Sequence, residues 1–299
     1  MVLGILGPTA SGKTGLSIDI ANEINGEIVN CDSIAIYKYF DIGSAKPTKE
    51  EQSKAKFHLI DYIEPNIQYN VGDFQKVCHK TIDTLLQNKK TPIVCGGSGL
   101  YANAALEGID NLPATSNEVR EKTASIINTG KGVDFLVSID KEYSKKIDLK
   151  NTRRLSRAIE LYFMTGKIPS EIFASLKKEK RPPYLTIGLT MDKEILLNRI
   201  NKRVDLMVKE GLFEEVEHLL TFVDKDATPM KSIGYKECIA FFEGLMTKEE
   251  TIERIKISTR QFAKRQYTWF NKYSNVQWVD IKDINKIKHI LEKNYEQNS

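Results

Sequence analysis

Apolar positions fall in short unbroken runs near the start of the chain and at helical spacing in most of the remainder. Val2-Leu3-Gly4-Ile5-Leu6 is apolar throughout, as a strand buried on both faces of a parallel sheet should be. Leu16, Ile20 and Ile24 then recur at helical spacing. A second strand is predicted at 27–31, after the Asn25-Gly26 turn, and two more at 58–62 and 92–95. Phe74, Val77, Ile82 and Leu85 predict a helix over 73–86. Strands alternating with helices over 1–112 imply an α/β fold with a parallel sheet and right-handed crossovers. From 113 to 183 the strand pattern vanishes. That segment is polar and helical, breaks at Gly130-Lys131-Gly132 and ends in a charged run, as a helical insertion or lid domain would. Strand character returns at Tyr184–Thr190 and at 276–279, so 184–299 completes the core and adds a basic helical C-terminal part.

Between the first strand and the first helix lies Gly7-Pro8-Thr9-Ala10-Ser11-Gly12-Lys13-Thr14. In that context its backbone N–H groups can wrap phosphate oxygens, Lys13 can add a point charge, and the Thr14 hydroxyl can reach a magnesium ion. The core is therefore of the P-loop NTPase-like kind, and the chain is expected to bind a phosphorylated ligand. Ligands of such sheets sit beyond the carboxyl ends of the strands. Asp32-Ser33 and Gly96-Gly97-Ser98-Gly99 fall there. Asp32 can serve as a general base, orient a metal-bound water, or cap a helix. Ser98 can cap the helix opening at Leu100, and the glycines before it would let a ligand approach the backbone. Arg199 and Arg203 share a face, either closing over a diphosphate or simply solvated.

Basic residues cluster from Lys145 to Arg157, from Lys177 to Arg181, and along the helix opening at Thr247. There Thr247 and Glu250 form a capping box, Ile252, Ile255, Phe262 and Trp269 are expected to be buried, and Lys256, Arg260 and Lys264 line another face. The formal charge of +4 over 299 residues is too small to demand a nucleic-acid partner, but this clustering favours an RNA or DNA backbone. No run is long enough to span a membrane, and no signal peptide precedes the phosphate loop. Cys31, Cys78, Cys95 and Cys238 lack zinc or disulfide spacing, so reduced cytosolic thiols are expected.

Further ordered blocks carry a resemblance. The stretch Asp32-Ser33-Ile34-Ala35-Ile36-Tyr37 through Asp41-Ile42-Gly43-Ser44-Ala45-Lys46-Pro47 is one. Others are His58-Leu59-Ile60-Asp61, Gly96 to Tyr101, Arg153 to Glu160, Ser232 to Glu237 and Thr259 to Trp269. With the phosphate loop, these resemble the tRNA dimethylallyltransferases over nearly the whole chain. The resemblance implies transfer of a dimethylallyl group from dimethylallyl diphosphate to N6 of the adenosine following the anticodon, by a cytoplasmic monomer. It implies that residues 7–14 cradle the diphosphate, that Asp32 takes the amine proton, and that Thr14 ligates Mg2+. Lys13 with Arg203 would neutralise the leaving group, and Ser98 would contact the adenine. Asp32-Ser33-Ile34-Ala35, Ser98, Arg120, Arg153-Arg154-Leu155-Ser156-Arg157 and Lys231-Ser232-Ile233-Gly234-Tyr235-Lys236 match tRNA-contacting segments. Ser98 stands where the family usually has Thr, Ala35 where many members have Gln, and Ser44 where Thr is common. Two alternatives stay open on the residues alone. One is a small-molecule kinase or NTPase using Asp61 as its magnesium-orienting carboxylate; the other is an isopentenyltransferase acting on free adenylate.

Overall fold

Six parallel strands form one sheet in the order β3-β2-β4-β1-β5-β6. They are β1 Val2–Leu6, β2 Gly26–Asn30, β3 Phe57–His58, β4 Thr91–Gly96, β5 Tyr184–Thr190 and β6 Val276–Asp280. The structure is a computed structural model and describes residues 1–110, 112–176, 181–273 and 275–296. All five residues of β1 are buried, which explains their continuous apolar run at the centre of the sheet. Leu6 pairs with Gly96 and Asn30 with Cys95, so β1, β2 and β4 end level with one another. The loops that follow them, beginning at Gly7, Cys31 and Gly97, therefore meet at one edge.

The third strand is shorter than the 58–62 expected. Leu59 and Asp61 adopt left-handed backbone, with φ 62° and 54°, and a strand cannot continue through such residues. Their turn instead brings Asp61 to Lys46, and His58 Nε2 lies 2.7 Å from Glu27. Sheet residues Leu3, Ile5, Ile28, Ile93, Leu185 and Ile187 share a core with Leu16 and Ile20 from the helix Lys13–Glu23 and with Ile287 and Ile290. A second core joins Ile36, Tyr37 and Phe40 to Val204, Phe213, Val216, Tyr235 and Ile255.

The chain divides into two compact units, Met1–Gly108 with Arg181–Ser299, and Ile109–Lys180. The second is helical and centres on Leu136, Leu155, Ala158 and Ile159; strand pattern alone had bounded it at 113–183. Gly130, at φ 76°, separates its helices Asn117–Asn128 and Gly132–Ile139.

The helix Lys248–Phe270 opens with the expected Thr247–Glu250 capping box. Of the expected stripe Ile255 is buried and Ile252 and Phe262 are half-buried, but Trp269 is not inside. Thr251, Ile255, Ala263, Gln266 and Phe270 are buried, while Trp269 is 37% exposed. The reason is close approach: Gly97 and Gly99 leave room only for what already faces them, Gln266 and the Trp269 indole edge respectively. Nor do its basic residues form one free face. Lys256 pairs with Asp205 and Arg260 with Glu253, while Lys264 is exposed.

Candidate active site

The phosphate loop leaves β1 at Gly7 and turns through Ala10, at φ 62°, and Gly12, at φ 95°, before the helix Lys13–Glu23 begins. A positive φ at alanine costs energy that surrounding contacts must offset, and such strain concentrates at binding sites. The helix N-terminus contributes unpaired N–H groups and partial positive charge. Lys13 folds back so that Nζ donates to the Pro8 carbonyl at 2.7 Å. Desolvation pushes its pKa down to about 8, with Arg203 adding to the fall and Cys95 and Asp32 opposing it.

Above the loop lies a cavity of about 660 Å³. Lys13, Thr14, Arg199, Lys202 and Arg203 line it, with Ile42, Leu206 and Met207 as an apolar wall. Arg199 and Arg203 thus do face the loop together. Burial also lowers the pKa of Arg203, against the pull of Asp32 and Glu51, and its Nη2 donates to the Ala45 carbonyl at 3.4 Å. Lys46 is different: its ammonium is held by Asp41, Asp61 and the Tyr37 carbonyl. Asp61, the carboxylate a kinase would need, is committed there.

Asp32 and Ser98 stand on the neighbouring loops and do not line the cavity. Asp32 Oδ1 accepts from the amides of Ile34 at 2.8 Å and Ala35 at 3.3 Å, so one oxygen fixes the turn and leaves Oδ2 outside those bonds. Ser98 takes the N-cap position of the helix Gly99–Leu106, and its carbonyl accepts from the Ala102 amide, but its side chain makes no capping bond. Its Oγ instead accepts from the Ser33 amide at 3.1 Å and lies 3.2 Å from Ser33 Oγ, tying the two loops together.

The expected RNA-facing residues separate into two groups. Arg120, Arg153, Arg154, Lys231 and Lys236 are exposed, and Ser33, Ile34, Ser156, Ser232 and Ile233 are half-buried. Ala35, Leu155 and Tyr235 are buried, with Gly234 beside them, so three side chains expected at an RNA contact serve cores. Tyr235 donates its hydroxyl proton to Glu215 at 2.7 Å and accepts from the Ser44 amide. Arg157 is spent within its own unit, donating to Thr115 Oγ1 at 2.6 Å and the Pro113 carbonyl at 2.8 Å beside Glu160. The basic run from Lys177 lies outside the described residues as far as Lys180, and Arg181 pairs with Asp83.

Sequence reasoning missed Lys46, Glu215 and Gln266 as site builders. Lys46 and Gln266 lie in motif blocks already singled out, which was their only signal. Glu215 had none; its carboxylate accepts from the consecutive amides of Asp41, Ile42 and Gly43, holding the cavity rim.

A parallel sheet bearing a glycine-rich loop, lysine and threonine at a helix N-terminus defines an enzyme of the P-loop NTPase-like class. Residues 35–273 match the IPP transferase family model, and the chain belongs to that family. It is 42% identical over 299 residues to a tRNA dimethylallyltransferase of Acetivibrio thermocellus, covering 97% of this chain and 95% of that one. A tRNA dimethylallyltransferase of Alkaliphilus oremlandii is 39% identical over 301 residues, at the same two coverages. The crystal structure of a full-length tRNA isopentenylpyrophosphate transferase from Bacillus halodurans superposes with TM-score 0.75 at 35% identity, covering 99% and 97% of the two chains. A eukaryotic dimethylallyltransferase acting on tRNA superposes with TM-score 0.80 at 28% identity, covering 95% of this chain and 74% of that one.

Proposed function

We propose that this protein transfers the dimethylallyl group of dimethylallyl diphosphate to N6 of the adenosine following the anticodon of tRNA, releasing diphosphate. The observation that carries the reading is the meeting, at level strand ends, of a cationic phosphate cradle with the Asp32–Ser98 loop pair. An exocyclic adenine amine is a weak nucleophile, because its lone pair is delocalised into the ring. Attack on the allylic carbon therefore needs alignment, a base, and stabilisation of departing negative charge. As the N–C bond forms, the allylic C–O bond breaks and its electron pair leaves on the diphosphate. Asp32 takes the amine proton, and the loop amides with Lys13 and Arg203 receive the developing charge. Ser98 orients the adenine, which must leave its stack to enter.

Thr14 fits a magnesium ion of limited protein ligation. Among the described residues no group of three or more His, Cys, Asp or Glu side chains is gathered to hold a metal. A single hydroxyl on the cavity floor suits Mg2+ bound chiefly by substrate oxygens and water. There the ion would supply further neutralisation of the diphosphate. Arg120, Arg153 and Arg154 supply phosphate contacts for the tRNA; Lys231 and Lys236 are exposed cations of the sheet-bearing unit and serve the same chemistry there. Among the described residues no helix is long and apolar enough to cross a membrane, and the cysteines are all free and buried. A cytoplasmic monomer fits this reading.

The test is nucleoside analysis of tRNA incubated with the protein, Mg2+ and dimethylallyl diphosphate. Isopentenyladenosine should appear, and ATP should not replace the prenyl donor. Turnover of ATP with the diphosphate ignored would give the site to a kinase. Modification of free adenylate in preference to tRNA would favour the nucleotide-modifying alternative.

A further inference from the structure

Gln266 lies on the buried face of the helix Lys248–Phe270 and is only 4% exposed. Each end of its amide has one backbone partner. The Thr9 N–H donates to Oε1 at 2.8 Å, and Nε2 donates to the Gly97 carbonyl at 2.9 Å. A peptide N–H only donates and a carbonyl only accepts, so the orientation of the amide is fixed by chemistry. Among side chains of this length in their ordinary state at neutral pH, glutamine alone offers both functions.

Its two partners belong to the two halves of the site. Thr9 immediately precedes Ala10, the left-handed residue on which the phosphate loop turns. Gly97 immediately precedes Ser98, whose hydroxyl holds the Ser33 amide next to Asp32. Gly97 is itself shaped to this bridge, since a Cβ there would stand 2.2 Å from Gln266 Nε2. One buried amide therefore spans from the diphosphate cradle to the loop beside the base.

We propose that Gln266 is a positioning residue for group transfer, fixing the offset between the diphosphate-binding turn and the Asp32–Ser98 loops by holding Thr9 and Gly97 at opposite ends of one amide. The proposal rests on the transfer reading above. Its physical basis is alignment: a displacement of about 1 Å between reacting groups can cost on the order of 100-fold in rate. Gln266 does not line the cavity, and it acts through the two loops.

Gln266→Glu and Gln266→Met separate the two ends of the bridge. Assayed at a pH where it is ionised, a glutamate here can still accept from Thr9 but repels the Gly97 carbonyl; protonated, it would keep both bonds. Methionine keeps the bulk and removes both at any pH. Circular dichroism melts identify the folded fraction, to which all rates are referred. Calorimetry with inorganic pyrophosphate reads the cradle, and single-turnover transfer to tRNA reads alignment. For Gln266→Glu, pyrophosphate affinity should stay within about threefold of wild type while the transfer rate falls on the order of 100-fold. For Gln266→Met, both should fall. Transfer by ionised, folded Gln266→Glu or by folded Gln266→Met within about threefold of wild type would overturn the proposal, as would rate and pyrophosphate affinity of Gln266→Glu falling in equal proportion. A wild type that binds pyrophosphate but never prenylates tRNA would instead overturn the transfer reading, and the proposal with it. Normal wild-type transfer beside an unaffected Gln266→Glu variant would remove the proposal alone.

Discussion

The phosphate-loop end of the sheet and the arginine-bearing helix Thr152–Thr165 are both cationic, yet they hold their charge in opposite ways. Lys13 is half-buried and bonded to its own loop, and Arg203 is half-buried and reaches the Ala45 carbonyl. Arg153 and Arg154 are exposed. Charge held in fixed positions needs little rearrangement when negative charge develops, so it stabilises a transition state. Charge on exposed side chains is screened and adaptable, so it suits an RNA backbone and yields affinity that depends on salt. Arg157 marks the border between the two kinds: it sits on the same helix but is half-buried and held by Thr115 and Pro113.

This contrast breaks most visibly at Asp32. Asp32→Ala should lower single-turnover transfer by about 100- to 10,000-fold while leaving tRNA affinity nearly unchanged. Turnover close to wild type would take Asp32 out of the chemistry. Lys13→Ala comes next, with transfer reduced on the order of 100-fold and a raised KM for dimethylallyl diphosphate, because one charge serves both ground state and leaving group. Its tRNA affinity should not change; a fall there would erase the distinction between the two regions. Replacing Arg153 and Arg154 together by Gln should act the other way round. The slope of log affinity against log salt should flatten by about 0.7 to 0.9 for each phosphate left without its arginine, with transfer at saturating tRNA little altered. Superimposable salt series would return this helix face to plain scaffold. Arg157→Ala should show the smallest functional effect and a stability effect instead, on the order of 1 kcal/mol, because it loses its part-buried bond to Thr115. A chemical denaturation curve measures this, and a changed salt slope without a changed midpoint would reassign Arg157 to the RNA.

The strands and the phosphate loop were legible because both are local. Apolar runs of the right length read as buried strands, and the loop motif carries its mechanism in consecutive residues. The contacts that finish the site are not local. Glu215 holds amides 41–43 from far along the chain, and nothing about an acidic residue on a helix announces that. The long C-terminal helix misled for a related reason: hydrophobicity predicts Trp269 inside, but Gly97 admits an amide there and the indole lies outward beside Gly99. Likewise, Tyr235 and Leu155 sit in segments matching tRNA contacts, whereas burial assigns their side chains to cores.

The lowered pKa of Lys13 also couples ligand capture to proton traffic. At about 8, part of the Lys13 population is neutral in mildly alkaline solution. An arriving diphosphate favours the ammonium form and draws a proton from the buffer. Below pH 8 the charge is already in place and little proton uptake is needed; above it, capture must include protonation and weakens as pH rises. Calorimetric titration with pyrophosphate in buffers of different ionisation enthalpy should therefore show proton uptake growing from pH 7 to about 8.5. In the Lys13→Met variant the lysine's share of that uptake should be lost, leaving only the exchange that comes from pyrophosphate's own ionisation.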